Sequence, residues 1–107
     1  MAYIEVDEFD IQEALDTAFD AKKIVIIKFY SELCDACNAL DFELEEIDDN
    51  HDNVTILAVD CAESEELTQR YGVTRVPTMI IYENKNSTLW HKDGVMLAQD
   101  IEAIIKQ

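Results

Sequence analysis

Residues Ile24-Val25-Ile26-Ile27-Lys28-Phe29-Tyr30 form a dense β-branched and aromatic run with no polar alternation. A strand with one wet face alternates apolar and polar side chains, so a run without alternation belongs to a strand covered on both faces. Val54-Thr55-Ile56-Leu57-Ala58-Val59-Asp60 has the same character. Strands of this kind need helices packed on the sheet, and the flanking sequence supplies them. Ile11, Ala14, Leu15, Ala18 and Phe19 recur at helical spacing, and Asp10 followed by Glu13 reads as a capping box, which predicts a helix from about Ile11 to Ala21. Cys37, Leu40, Leu44 and Ile47 follow a 3.6-residue period while Asp41, Glu45, Asp48 and Asp49 lie elsewhere, which predicts an amphipathic helix over Cys34 to Asp49.

The remaining pattern completes a mixed sheet. Ser64 to Tyr71 reads as a short helix ended by Gly72, and Pro77 opens a strand over Thr78 to Tyr82. Glu83 to Ser87 is a polar turn, Thr88 to Lys92 a returning strand and Leu97 to Lys106 a closing helix. With Tyr3 to Val6 as an edge strand, the order is βαβαβαββα. The expected class is α/β: a central mixed sheet of four to five strands flanked by four helices, with parallel pairing where strands alternate with helices and a C-terminal antiparallel hairpin. A chain of 107 residues without repeats or a Ser/Gly linker is read as one domain over residues 1–107.

Twenty-four acidic residues against eight basic ones give a formal charge of −16, which repels nucleic acid and anionic lipid; neither is expected as a partner. The same charge suits a soluble protein and favours encounters with positively charged partners. No apolar run approaches the ~20 residues that span a bilayer. The N-terminal residues Met1 to Asp7 have neither a basic n-region nor an apolar h-region, so a reducing cytoplasm is the expected location. Three cysteines allow one internal pair and leave Cys61 over.

Cys34-Asp35-Ala36-Cys37 stands where the first buried strand gives way to the amphipathic helix. Two cysteines so spaced at a helix start can close a small disulfide ring. The first lies beside unpaired backbone N–H groups and the positive end of the helix dipole, both of which favour thiolate. A thiolate so placed attacks a substrate disulfide, and the second sulfur then resolves the mixed disulfide. Metal binding is the competing use of such a pair, but Cys61, His51 and His91 offer no ligand spacing, so no metal is expected.

The segment Phe29-Tyr30-Ser31-Glu32-Leu33-Cys34-Asp35-Ala36-Cys37, with Val59-Asp60, Tyr71-Gly72-Val73-Thr74-Arg75-Val76-Pro77-Thr78 and Gly94 after the hairpin, resembles the thioredoxins along essentially the whole chain. The resemblance implies a thioredoxin fold and a cytoplasmic protein-disulfide reductase with Cys34 as nucleophile and Cys37 as resolving thiol. It implies a cis bond after Val76, facing the sulfurs, with Leu33, Val76, Pro77 and Gly94 meeting the substrate. It also implies a thioredoxin-reductase-type electron donor, protein disulfides as substrates, a monomer, and no cofactor beyond the Cys34–Cys37 disulfide itself.

Departures from the family pattern mark further candidates. Asp35-Ala36 stands where Gly-Pro is usual, and the Asp35 carboxylate opposes a second negative charge on Cys34, which points to a reducing couple. Lys28 stands where a buried Asp that helps the resolving thiol is usual; it can stabilise the Cys37 thiolate, pair with a carboxylate such as Asp60, or snorkel outward. Tyr30 and Leu33 replace two common tryptophans, and the resemblance places the positive charge of Arg75 near the active surface. Cys61 is expected to be inert, and His51 and His91 are expected to be ordinary surface or strand residues. Rival readings are a redox-inactive protein-binding module on the same fold, a glutathione-using glutaredoxin-like protein, and an iron–sulfur or zinc carrier formed by two chains.

Overall fold

The computed structural model describes residues 3–106. Five strands and four helices follow one another as β1 (Tyr3–Glu5), α1 (Ile11–Asp20), β2 (Ile24–Tyr30), α2 (Asp35–Asn50), β3 (Val54–Asp60), α3 (Glu65–Arg70), β4 (Thr78–Asn84), β5 (Ser87–Asp93) and α4 (Ala98–Ile105). The strands lie in the order β1-β3-β2-β4-β5, so β1 is an edge, as expected. β2 pairs in parallel with β3 and antiparallel with β4, and β4 and β5 form the antiparallel hairpin.

One pairing differs from the expectation that strands alternating with helices run parallel. β4 follows α3 but runs opposite to β2. The reason lies in length. Six helical residues rise about 9 Å, whereas a seven-residue strand spans about 23 Å, so α3 cannot carry the chain back along the sheet as α1 and α2 do. The chain therefore enters β4 near the end where β2 and β3 leave.

The two faces of β2 divide the core. Val25, Ile27 and Phe29 pack with Leu57, Val59 and Ile80 beneath Ile11, Leu15 and Ala18 of α1 and Leu67 of α3. Ile26 joins Ile56, Met79 and Ile81 beneath Leu40, Leu44 and Ile47 of α2 and Ile101 and Ile105 of α4. Lys28 belongs by alternation to this second face and is only 3% exposed. α2 and α4 are further joined by His51 and Glu102, 2.7 Å apart, a partner for His51 that local spacing did not reveal. The Glu43 Oε1 atom of α2 accepts the Ala98 N–H at 2.8 Å, which caps α4 from another element.

Helix ends show where local reading slips by a turn. Asp10 makes no side-chain cap to its own helix. Instead Asp7 Oδ1 accepts the N–H groups of Phe9 and Asp10 at 2.8 and 3.2 Å, while Asp10 Oδ1 accepts the Asp7 N–H at 2.7 Å. This is the reciprocal bonding of a capping box, set three residues earlier than Asp10 and Glu13 suggested. At the other end, Lys22 N–H donates to Phe19 O and Lys23 N–H to Ala18 O, with Lys22 at φ 60°. α3 closes in the same way with Gly72 at φ 69°. The α1 turn thus asks a side-chain-bearing residue to take the left-handed conformation that glycine takes freely.

Two outcomes follow from these ends and clamps. Lys22→Gly is expected to stabilise the fold by about 0.5–1 kcal/mol, the relief of a left-handed side chain less the entropy glycine adds to the unfolded chain; denaturant titration reads it. The hydrogen bond from His51, the leading cause, and the nearby Lys106 charge hold Glu102 below its ordinary carboxylate range of 4.5. A depressed carboxyl contributes stability that is full above its unfolded value and is lost as pH falls through the folded one. Glu102→Gln should therefore lower stability at neutral pH and flatten its fall below about pH 5, seen in melting curves against pH.

Candidate active site

The site begins where β2 ends. After Tyr30 the chain crosses Ser31, Glu32 and Leu33, and Cys34 takes an extended conformation (φ −116°, ψ 102°) as the N-cap of α2. Helical conformation starts at Asp35, one residue later than the periodicity suggested. Cys34 Sγ accepts the Cys37 N–H at 3.1 Å, the bond that a Ser or Asp oxygen makes at an ordinary cap. This sulfur is therefore held on an orphan helix donor at the positive end of the dipole, a place that favours negative charge.

Cys34 and Cys37 are joined as a disulfide with their Cα atoms 5.2 Å apart. Their exposures differ in the sense an attacker and a resolver require: Cys34 is half-buried, while Cys37 lies against the sheet at 2%. Asp35 and Ala36 occupy the exposed first turn between them. Leu33 precedes the pair in the left-handed conformation, φ 56°, with its side chain fully in solvent at 104% relative exposure.

The antiparallel register sets the second wall. Phe29 is opposite Thr78, so Val76 and Pro77 continue past the strand beside the segment that leads to Cys34. The Val76–Pro77 bond is cis, and Pro77 is buried. Gly94, at φ 106°, donates its N–H to Pro77 O at 2.9 Å, which brings the end of β5 to the same place. Among the described residues the Val76 backbone makes no hydrogen bond, so its N–H and C=O are free to pair with an extended peptide. Val95, next to Gly94 and 47% exposed, adds an apolar side chain that sequence reading passed over.

Other candidates lie further off. Arg75 is exposed and makes no ion pair among the described residues; with Ser31, Cys61, Thr68 and Val76 it lines a cavity of about 230 Å³. Burial, above all, and the Asp60 charge push the Cys61 thiol up, against the lowering hydrogen bond with Thr68, which fits an unreactive thiol. Lys28 pairs with Asp41 of α2. Asp60, the partner considered from sequence, instead accepts the Ala62 N–H at 2.9 Å. The Lys28 ammonium also lies 4.7 Å from the centre of the Tyr30 ring, whose hydroxyl donates to both Glu5 oxygens at 2.5 and 2.6 Å. The signal for Asp41 was present as its spacing of four from Cys37, but nothing local linked it to Lys28.

A paired-cysteine helix start beside a strand that opens on a cis proline has the chemistry that thiol–disulfide exchange requires. The thioredoxin family model matches residues 4–107, and the chain belongs to that family. It is similar to Thioredoxin 1 of Plasmodium falciparum, 29% identical over 93 residues that cover 85% of this chain and 89% of the relative. Among solved structures, chloroplastic thioredoxin z superposes with a TM-score of 0.88 at 20% identity, over 100% of this chain and 94% of the other. Thioredoxin f from spinach chloroplast gives 0.81 at 25% identity, over 96% and 91%. In two larger curated relatives, from Schizosaccharomyces pombe and Caenorhabditis elegans, the chain spans only 15% and 11% of the length.

The three thiols should separate by reactivity. In the reduced protein at neutral pH, limiting iodoacetamide is expected to alkylate Cys34 first and Cys61 at least about tenfold more slowly, as burial without a cation predicts. Peptide mapping by mass spectrometry reads the order, and equal labelling of Cys34 and Cys61 would remove the helix cap from the explanation.

Proposed function

We propose that this chain is a protein-disulfide reductase that works by dithiol exchange in a reducing cytoplasm. The observation that carries the reading is the pairing of a half-exposed Cys34, held on a helix N–H, with a buried Cys37 one turn on. The Cys34 thiolate attacks one sulfur of a substrate disulfide; the substrate S–S bond breaks, a mixed disulfide forms on Cys34, and the other substrate sulfur leaves as a thiolate. Cys37 then gives up its proton and attacks Cys34 Sγ. The Cys34–Cys37 bond forms, the second substrate thiolate leaves, and two electrons have passed to the substrate.

Leu33, Val76, Pro77 and Gly94 receive the substrate segment, with the free Val76 backbone giving strand-like pairing and Leu33 an apolar contact. Arg75, Asp35 and Ala36 adjust the reactivity of the pair. The oxidised pair returns to dithiol with electrons from a thioredoxin-reductase-type partner, since the sequence has no Gly-rich dinucleotide fingerprint. The working unit is a monomer.

Equilibration against dithiol buffers tests the reading. Asp35 beside Cys34 predicts a potential at or below the roughly −270 mV of thioredoxin, and a value near −120 mV would contradict it. In Cys37→Ala the resolving step is gone, so mixed disulfides should accumulate on Cys34 when the protein is mixed with disulfide-bonded proteins. A parent protein that does not cycle would leave the redox-inactive binding module as the better account.

A further inference from the structure

The pair of buried Lys28 and half-exposed Asp41 has no part in the exchange described so far, and its surroundings give it one. Cys37 is 2% exposed, so its proton has no direct path to bulk water. Asp41 follows Cys37 by four residues in α2, which puts the two side chains side by side on the helix, with Cβ atoms about 5–6 Å apart. Its side chain is 37% exposed and lines a cavity of about 520 Å³ together with Tyr3 and Lys28. Asp41 is thus the group that borders both the buried thiol and water.

The bonding of its carboxylate is one-sided. Lys28 Nζ and the Tyr3 hydroxyl both donate to Oδ1. Among the described residues no donor is assigned to Oδ2. Burial, first, and then the bond to Asp41 push the Tyr3 hydroxyl well above its ordinary range, so it stays a donor at neutral pH. The carboxylate is anchored at one oxygen and open at the other, the arrangement of an oriented base.

Resting on the dithiol reading above, the geometry points to Asp41 as the proton acceptor for Cys37 in the resolving step, with Lys28 and Tyr3 as its positioning residues. As Cys37 Sγ attacks Cys34 Sγ, its proton passes to Asp41, the Cys34–Cys37 bond forms and the substrate thiolate leaves. Asp41 then returns the proton to water in the cavity. The other charged groups lining it are Glu5 of β1 and Glu45, Asp48 and Asp49 of α2. Tyr30 of β2 completes its titratable lining.

The test uses 5,5′-dithiobis(2-nitrobenzoic acid) and a Cys61→Ala background, so that only the pair reports. Stopped-flow absorbance resolves a first release of thionitrobenzoate, when Cys34 forms its adduct, and a second, when Cys37 displaces it. Asp41→Asn should leave the first phase unchanged and slow the second at least about tenfold at neutral pH, with the loss recovered as pH rises and hydroxide takes over. Asp41→Glu should restore part of the rate. Lys28→Met combined with Asp41→Asn removes both charges, leaves no buried charge unpaired, and should show the same slow second phase. Glu45→Gln, in the same cavity but two turns from Cys37, should match the parent. A second phase with parental rate and pH profile in either folded Asp41→Asn protein overturns the assignment while the reductase reading stands. A parent that releases no first thionitrobenzoate from Cys34 overturns both.

Discussion

The site exists because α3 is short. A helix of six residues leaves the chain at the end of the sheet where β3 ended, so β4 enters antiparallel to β2 with its first residues beside the last of β2. A longer crossover would have made β4 parallel and carried Val76 and Pro77 to the far end of the sheet, away from Cys34. From this one limit of reach follow the hairpin return along β5 and the bond from Gly94 to Pro77 at the same end. The sulfur pair and the Val76–Pro77 segment are brought together by topology rather than by any direct bond between them.

A second constraint is the charge buried beneath the active helix. A lysine ammonium at 3% exposure is tolerated only because Asp41, Tyr3 and the face of Tyr30 surround it. Removing Asp41 leaves the buried ammonium uncompensated at a cost of about 3–5 kcal/mol, whereas removing both charges together is often close to neutral. The pair therefore does little to hold the fold compared with apolar residues of the same volume. What it does is orient: it ties β1, β2 and α2 at one point, a turn below Cys37, where the position of a carboxylate matters to chemistry.

Much of this was legible in sequence because it depends on short-range patterns. Unalternating apolar runs gave β2 and β3, the 3.6-residue period gave the buried face of α2, and glycine after Tyr71 gave the end of α3. The cysteine pair was placed at a helix start by the change of period alone. What escaped depends on distant partners. His51 meets Glu102 from 51 residues away, and Lys28 meets Asp41 across the layer between sheet and helix. The α1 cap was misplaced because Asp10 and Glu13 satisfy the pattern locally while Asp7 and Asp10 satisfy it with better placed donors. The direction of β4 escaped because an alternation of helix and strand does not say how far the connecting helix reaches.

Cysteine at the N-cap couples the redox state to the helix itself. In the disulfide, Cys34 Sγ already accepts the Cys37 N–H, and a thiolate at the same place is a stronger, charge-assisted acceptor. Reduction thus tightens the cap and, by itself, favours the dithiol form, which is the direction of an oxidant. Two features push the other way. Asp35 sits at the first helical position and claims the same positive end of the dipole, equivalent to about half an elementary charge. The chain's −16 formal charge adds a diffuse repulsion to any new anion. Among the described residues no lysine or arginine is bonded to Asp35 to cancel it. A full carboxylate charge next to the sulfur, set against a half charge already divided among the first-turn donors, is the electrostatic basis of the reducing couple proposed above.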